Sequence, residues 1–311
     1  MATWAQRLIR EKIQLDPDTP IATTAADAIL ARNVTMRFLD AEYQQRDFVT
    51  GIEGAQGEDL SNVRAGAEYE VEAAFAAAPE TPPHYAHLIR SSGWDMTDDD
   101  GDIVFTPMDP GDTIPACTLM MKNGALQQVI GGLRGSLAFT AEVGRKPFFR
   151  FNRLGRYQPP SAYVKETHDF SGWPRALDCI PENMFAFTLG GTKLCCRSFN
   201  FTDGRSPVVD KYMNCEGTTL GPRRMTGRMT VKWPTLAAKD LLTQIRTGVT
   251  EAVTWTLGSA AASLAITGPK VQIKWAGEQD IEGDLGINLD LVFEPLAGND
   301  EIGMRFIQPE P

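Results

Sequence analysis

Three glutamates at alternate positions, Glu68, Glu70 and Glu72, form the most distinctive charged group in the sequence. Alternate residues of a β-strand point to one face, so these carboxylates would line one side of a strand whose other side carries Tyr69 and Val71. Like charges spaced by about 7 Å repel each other, which is tolerated where the face meets water or basic groups. The pattern predicts either an ordinary solvated face or a charged contact surface.

Two other segments carry residue types used in metal or acid–base sites. Glu166 to Asp169 places His168 beside a carboxylate in a proline-rich region, and Asp95 to Asp102 is an acidic run. The first is typical of a solvated surface pair. The second lacks the residue order of an EF-hand loop, which favours an exposed turn over a calcium site. The five cysteines have no C-x-x-C spacing, so neither a disulfide framework nor a zinc site is predicted.

Motifs of the common enzyme classes do not occur in the sequence. It contains no G-x-G-x-x-G, no P-loop, no G-x-S-x-G and no H-E-x-x-H. A carbohydrate-active β-sandwich enzyme would need a pair of spaced carboxylates in a cleft, and the sequence does not show which carboxylates meet. We therefore predict a protein that is not an enzyme, with no catalytic residue, no cofactor and no metal.

The amino-acid composition narrows the classes of function that remain. The 311 residues are 42% hydrophobic and carry a net charge of −10, so the chain is expected to fold and is poorly suited to gripping nucleic-acid phosphates. No apolar stretch approaches the roughly 20 residues that span a bilayer, and charged residues interrupt the N-terminal apolar positions. We expect a protein made in a cytosol, without a membrane anchor.

Period-2 alternation predicts a mainly β chain with two helices. The helices are expected at His84 to Ser92 and at Leu236 to Thr247, with Thr235 as N-cap and Gly248 ending the second. Each helix follows a long alternating strand. Predicted strands are Val34–Phe38, Gly66–Phe75, Ile103–Thr106, Cys117–Lys122, Leu126–Ile130, Ser136–Val143, Phe148–Leu154, Met184–Leu189, Leu194–Phe201, Arg228–Trp233, Ala252–Leu257, Val271–Trp275, Gly286–Phe293 and Ile302–Ile307.

Five landmarks recur in the same order in both halves, which predicts a tandem duplication. They match Tyr69 to Met229, Gly93 to Gly248, Gly124 to Gly277, Leu137 and Phe139 to Leu289 and Leu291, and Phe151 to Phe306. Chance similarity between β-rich segments is the alternative. The prediction is a first domain at residues 1–157, a connector at 158–183 and a second domain at 184–311. At the positions matching the glutamates stand Arg228, Thr230 and Lys232.

Each half also contains a long polar segment before its alternating strand, at Asp40 to Asn62 and at Thr202 to Arg224. Loops of this length are uncommon in compact domains and usually either bind a partner or are mobile. We expect both segments to be poorly ordered in the isolated chain and to gain structure on binding a partner.

Several stretches resemble one protein family. The order of strand, long loop, alternating strand, helix and paired strands is similar to that of the major tail proteins, or tail tube proteins, of long non-contractile-tailed bacteriophages. The stretches that carry this likeness are RLIREKI at 7–13, ARNVTM at 31–36, GSLAFTAEVG at 135–144, FFRFNRLGRY at 148–157, RMTGRMTV at 224–231, PTL at 234–236 and DEIGMRF at 300–306.

The resemblance implies tandem β-sandwich or split-barrel domains, each with one flanking helix, assembled into stacked rings that conduct genome DNA during ejection. Three copies of a duplicated chain would form a pseudo-hexameric ring, and a true hexamer is the second possibility. It also implies contacts with a tape measure protein and with tail terminator or distal tail proteins, and location in the virion tail after assembly in the host cytoplasm. DNA would pass without specific binding, which an acidic wall favours.

In such a tube, the candidate residues for the lumen or for a seam between subunits are Glu68, Glu70, Glu72, Arg228 and Lys232.

The alternative is a different class of function. The same β architecture would also suit a two-domain surface-binding protein, either an adhesin or a decoration protein. Such a protein should stay monomeric and bind a glycan or receptor, whereas a tube protein should form rings.

Overall fold

The computed structural model describes residues 7–307 except 15, 47, 50–52, 77–80, 164, 166 and 260–261. The chain is mainly β with two short helices, as predicted. The helices are α1 (Ala86–Arg90) and α2 (Leu241–Thr247). The strands are β1 (Arg7–Gln14), β2 (Ala31–Gln45), β3 (Glu58–Glu72), β4 (Trp94–Asp99), β5 (Asp102–Pro107), β6 (Ala116–Asn123), β7 (Leu126–Glu142), β8 (Phe148–Arg156), β9 (Ser161–Ala162), β10 (Met184–Leu189), β11 (Thr192–Lys193), β12 (Cys196–Thr202), β13 (Pro207–Lys211), β14 (Glu216–Leu220), β15 (Thr226–Lys232), β16 (Thr250–Gly258), β17 (Ser263–Ile281), β18 (Asp284–Phe293) and β19 (Gly303–Ile307).

Antiparallel pairing links all of these strands except β13 and β14 into one sheet, and those two pair as a separate hairpin. The sheet folds over its own core. Four strand spacings separate β3 from β1, about 19 Å in a flat sheet, yet Tyr69 on β3 donates to Glu11 Oε2 on β1 over 2.6 Å. Phe187 on β10 and Phe199 on β12 similarly meet with ring centroids 5.9 Å apart. The sheet therefore bends around each of these two contacts, and the core lies on the inner side of the bends.

The two longest strands turn the corners of the folded sheet. The first part of β7 pairs with β6 and its later part with β8, and β17 divides in the same way between β16 and β18. Both show a register shift at the corner, between Cys117 and Leu119 opposite β7 and between Glu251 and Val253 opposite β17. Such irregularities let one strand pass between two layers.

Two sets of six strands have the same pairing order. The first strand set is β1, β2, β3, β6, β7 and β8, and the second is β10, β12, β15, β16, β17 and β18. In each set the first strand pairs with the fourth, the second with the third, the third with the sixth, the fourth with the fifth and the fifth with the sixth. In both sets the helix lies between the third and fourth strands.

This pairing order changes some of the residue matches drawn from sequence. Tyr69 lies opposite Phe151, as Met229 lies opposite Leu289, which agrees with the match of β3 to β15. By the same registers β7 corresponds to β17 and β8 to β18, so the matches of β7 residues to β18, of Phe151 to Phe306, and of Gly124 to Gly277 are wrong. The β4–β5 hairpin in one set and the β13–β14 hairpin in the other shift the spacing between equivalent strands.

Among the described residues, two strand pairings connect the N-terminal half of the chain to the C-terminal half, and one of them joins the first set to the second. β7 pairs with β12 from Ala138 to Glu142, and β5 pairs with the last strand, β19. Aromatic rings cross at the same places, with Phe139 5.0 Å from Trp255 and Phe105 5.7 Å from Phe306 between centroids. The buried core is therefore continuous between the two sets.

Both helices are shorter than their sequence patterns predict. α2 begins after Asp240, whose carboxylate accepts from Thr243 N over 2.9 Å, so Asp240 rather than Thr235 is its N-cap. Thr235 instead starts a separate turn, accepting from Lys239 N over 3.0 Å. Gly248 ends α2 with a φ of 69°, as predicted, because a residue without Cβ adopts that left-handed conformation at little cost.

Candidate assembly surfaces

The glutamate stripe lies on the outer face of β3, with Tyr69 and Val71 buried on the opposite face. It is not a bare acidic surface. Arg150 Nη2 on β8 lies 2.6 Å from Glu68 Oε1. Glu70 accepts from Arg32 Nε over 3.1 Å and from Asn33 Nδ2 over 2.7 Å. The basic partners that the sequence pattern requires are thus supplied, at least in part, by the flanking strands of the same chain.

Glu70 is also more covered than a solvated strand face would allow. Its residue exposure is 9%, and it lies directly opposite Arg32 on β2 and Arg150 on β8. Charge-assisted hydrogen bonds are stronger than neutral ones and gain from partial exclusion of water. We conclude that Glu70 contributes to the stability of the sheet, while Glu68 and Glu72 remain partly open.

The corresponding face of β15 carries charges of the opposite sign. Arg228 Nε lies 2.7 Å from Asp290 Oδ1, and Lys232 Nζ lies 2.7 Å from Asp284 Oδ2, both on the β18 side. The hydrogen bond to Asp284 raises the pKa of Lys232. In the β3–β8 pair the acids lie on β3 and the base on β8, whereas in the β15–β18 pair the bases lie on β15 and the acids on β18. The pairing registers of the two pairs nevertheless correspond. Each face is largely neutralised within the chain.

The other sequence candidates have structural partners. Arg305 on β19 binds Asp99 and Asp102 at 2.8 and 2.7 Å, so the acidic run helps attach β19 to the β4–β5 hairpin. His168 Nδ1 lies 3.2 Å from Arg10 Nη2. Glu166 lies outside the described residues. Within the part of the chain that the structure describes, no three His, Cys, Asp or Glu side chains are placed to hold a metal ion.

A cavity of about 560 Å³ borders the stripe at its Glu72 end. Glu72, Lys146, Trp173 and Asp178 contribute to its lining, and Lys146 Nζ is 3.7 Å from Asp178 Oδ1. Acidic and basic groups are mixed along the wall of the cavity, so its electrostatic potential does not favour a ligand of either charge. Nothing in its lining indicates catalysis.

The two polar segments expected to be poorly ordered contain paired strands. Within Asp40 to Asn62, β2 and β3 continue pairing as far as Gln45 opposite Glu58, and Thr202 to Arg224 contains the β13–β14 hairpin. We name the first extension, residues 39–45 and 58–62, the arm. Its strands are polar or exposed on both faces, so the one-sided alternation that marks a half-buried strand is missing from the sequence.

The β13–β14 hairpin lies on the outer face of the first strand set. Lys211 Nζ donates to Val63 O on β3 over 2.8 Å, and Arg134 of β7 donates to Thr218 O. Pro207, at the start of β13, borders a small cavity with Asn152 of β8. The arm carries the exposed apolar side chains Leu39, Tyr43 and Leu60, and the hairpin also exposes Val208, Tyr212 and Met213.

Asp203 connects the two strand sets at the β7–β12 pairing. Its carboxylate accepts from Leu137 N over 2.8 Å and from Arg205 N over 3.0 Å. Burial raises the pKa of this carboxyl to about 7, against the lowering effect of the two backbone donors. Sequence reasoning missed this residue, because an Asp followed by Gly204 is typical of an exposed turn.

Several strand edges are open among the described residues, including those of β2 and of the end of β17. β2 pairs only with β3, and residues 273–281 of β17 pair only with β18. On β2, side chains occupy carbonyl groups that face away from β3. Arg7 Nη1 donates to Val34 O and Gln128 Nε2 to Phe38 O, each over 2.9 Å. A strand that pairs with this edge would have to displace these two side chains.

Comparison with known proteins does not assign the chain to a family. No family model matches the sequence, and no curated protein matches it. Among the described residues, no helix has the length and apolar character needed to cross a membrane.

Proposed function

We propose that this protein is a structural subunit of a phage tail tube, in which copies of the chain form rings that stack into a conduit for DNA. The observation that carries the proposal is the β7–β12 pairing. It joins the fifth strand of the first set to the second strand of the second set within one continuous sheet. A contact between unlike edges of similar units is heterologous, and repetition of such a contact closes a ring when the rotation permits.

The shared pairing order supports a tandem duplication, with boundaries at 1–157, 158–183 and 184–311. On that basis we infer that three copies supply six similar units to a pseudo-hexameric ring, with a true hexamer as the second possibility. Rings would stack head to tail and meet a tape measure protein and terminator or distal tail proteins at the ends. These partners follow from the family resemblance stated above.

The charge distribution is compatible with DNA transit. A net charge of −10 disfavours tight binding of phosphates, and the cations on the β3 and β15 faces are paired with acids. We propose that the outer face of these strands lines either the lumen or a seam between subunits, with Glu68, Glu70, Glu72, Arg228 and Lys232 as the residues concerned. DNA would then meet no unbalanced basic surface.

Electron microscopy of the concentrated protein tests the proposal. We expect end-on rings with six similar lobes, and three chains per ring by mass measurement. A protein that remains monomeric at millimolar concentration, or in the presence of excluded-volume agents that favour association, would refute it.

Hydrogen exchange provides an independent test through the arm. Its exposed apolar side chains predict burial against another copy, so arm amides should exchange more slowly after assembly. The amides of β7 serve as the internal reference, since they are already paired in the single chain. Equal exchange of arm amides in the monomer and the assembly would exclude the arm from the contact.

The alternative is a two-domain surface-binding protein, either an adhesin or a decoration protein. The same exposed apolar residues of the arm could then meet a receptor or capsid. Binding to a glycan or capsid surface by a stable monomer would favour that function over a tube.

A further inference from the structure

We propose that the free end of β17, residues 276–281, pairs antiparallel with β2, residues 33–38, of a neighbouring copy. This inference rests on the proposed function, because it specifies how one copy meets the next in a ring. It names the edge strands that join, which the ring proposal alone does not.

The pairing inside the chain provides the template. In the first set, the segment of β7 that follows its β6 pairing binds β12, from Ala138 opposite Thr202 to Glu142 opposite Ser198. β17 is the counterpart of β7, and its segment after the β16 pairing is open. β2 is the counterpart of β12, and no described strand pairs with its outer edge, where an added strand would displace Arg7 from Val34 O and Gln128 from Phe38 O. Pairing these two edges would repeat, between two copies, the β7–β12 pairing that is found within one chain.

Matching irregularities support this equivalence. β12 shifts register against β15 between Cys196 and Ser198, and β2 shifts against β3 between Arg32 and Thr35. Each shift adds one residue to the second strand of its set, at neighbouring points of the ladder: opposite Val231 and Thr230 on β15, and opposite Glu70 and Glu68 on β3. Both second strands are therefore bulged close to the segment that β12 presents to β7.

Charge complementarity favours a second copy as the occupant. Glu278 and Asp280 are exposed on the free end of β17. Arg32 and Arg37 lie on β2, and Arg7 reaches the same edge through its bond to Val34 O. Pairing would displace Arg7 from that carbonyl and leave its guanidinium beside the acidic strand. Opposite charges on adjoining strands stabilise pairing and oppose the pairing of two like edges.

Disulfide trapping between two proteins, each with one introduced cysteine, tests the contact. Both proteins carry Cys195→Ser and Cys215→Ser, which remove the exposed thiols. One then carries Thr35→Cys, and the other carries Glu278→Cys or Gln279→Cys. Two successive positions are used because the register shift between Trp275 and Gly277 permits either alignment. The matched control is Thr267→Cys, an exposed position on the paired half of the same strand.

We expect covalent heterodimers with Cys at position 278 or 279 at a yield at least tenfold above the control. If microscopy shows rings but neither position forms heterodimers above the control, the seam is wrong and the ring proposal stands. If the protein forms neither rings nor cross-links, both proposals fail. Equal cross-linking at position 267 indicates random collision and also refutes the seam.

A charge-reversal variant gives a second readout without new cysteines. Glu278→Lys with Asp280→Lys should raise the protein concentration needed for rings at least tenfold. The control, Asp95→Lys with Glu182→Lys, makes the same change in net charge at exposed positions elsewhere and should leave assembly unchanged. Equal assembly by both variants would contradict a seam at the end of β17.

Discussion

Glu70 should contribute much more to stability than Glu68, although both belong to one stripe. Glu70→Gln keeps the shape of the side chain and removes a charge that is 9% exposed and held by Arg32 and Asn33 at 3.1 and 2.7 Å. Hydrogen bonds to charged groups contribute about 1.5–3 kcal/mol. Glu68 has an exposed partner in Arg150, and exposed pairs contribute about 0.2–1 kcal/mol.

Thermal unfolding of the two single variants measures this difference. Each kcal/mol shifts Tm by roughly 2–4 °C in domains of 150–250 residues, so we expect Tm to fall by about 3–12 °C for Glu70→Gln and by about 0.4–4 °C for Glu68→Gln. The measurement should use protein at a concentration where it remains monomeric, so that assembly does not add to Tm. A loss for Glu70→Gln no larger than that for Glu68→Gln would refute the reasoning.

Three further predictions concern buried groups and thiols. Glu11→Gln should lower the unfolding free energy by about 3–5 kcal/mol in urea titrations, because it leaves the fully buried Arg153 without its counter-charge; Glu11→Leu combined with Arg153→Met should recover most of the loss. Burial raises the folded-state pKa of Asp203 to about 7, so the contribution of this group to stability is present below about pH 4 and is lost as pH rises through 7. The Tm of Asp203→Asn should therefore vary less between pH 4 and pH 8 than the Tm of the parent protein does. Alkylation of the native protein followed by mass spectrometry should modify the exposed Cys195 and Cys215 first, and rapid modification of all five cysteines would contradict the burial of the others.

The sequence predicts strands well where one face is buried. Within Ser136–Val143, Leu137, Phe139 and Ala141 alternate with small or polar residues, and β7 buries these three on one face. β1 was missed because Arg10 and Glu11 are buried on both faces, where the alternation rule expects apolar residues. The charges are accommodated by tertiary partners, such as Arg153 for Glu11, that are distant in sequence.

The candidate site was predictable only in part. Alternation places Glu68, Glu70 and Glu72 together on one face, and β3 has them there. It cannot identify the arginines of neighbouring strands, because cross-strand register depends on bulges such as the one after Arg32. The open edges of β2 and β17 are properties of sheet order, which no local pattern contains.

The connection between the two halves of the chain has a mechanical consequence. A force that pulls the N-terminal half from the C-terminal half must act on two separate hydrogen-bonded ladders, β7 with β12 and β5 with β19, in addition to the aromatic contacts between the halves. The two halves are therefore joined by strand pairing as well as by the connecting segment. Bending at the proline-rich segment alone does not separate them, so a tensile load along the chain would pass through the sheet and meet the resistance of both ladders together.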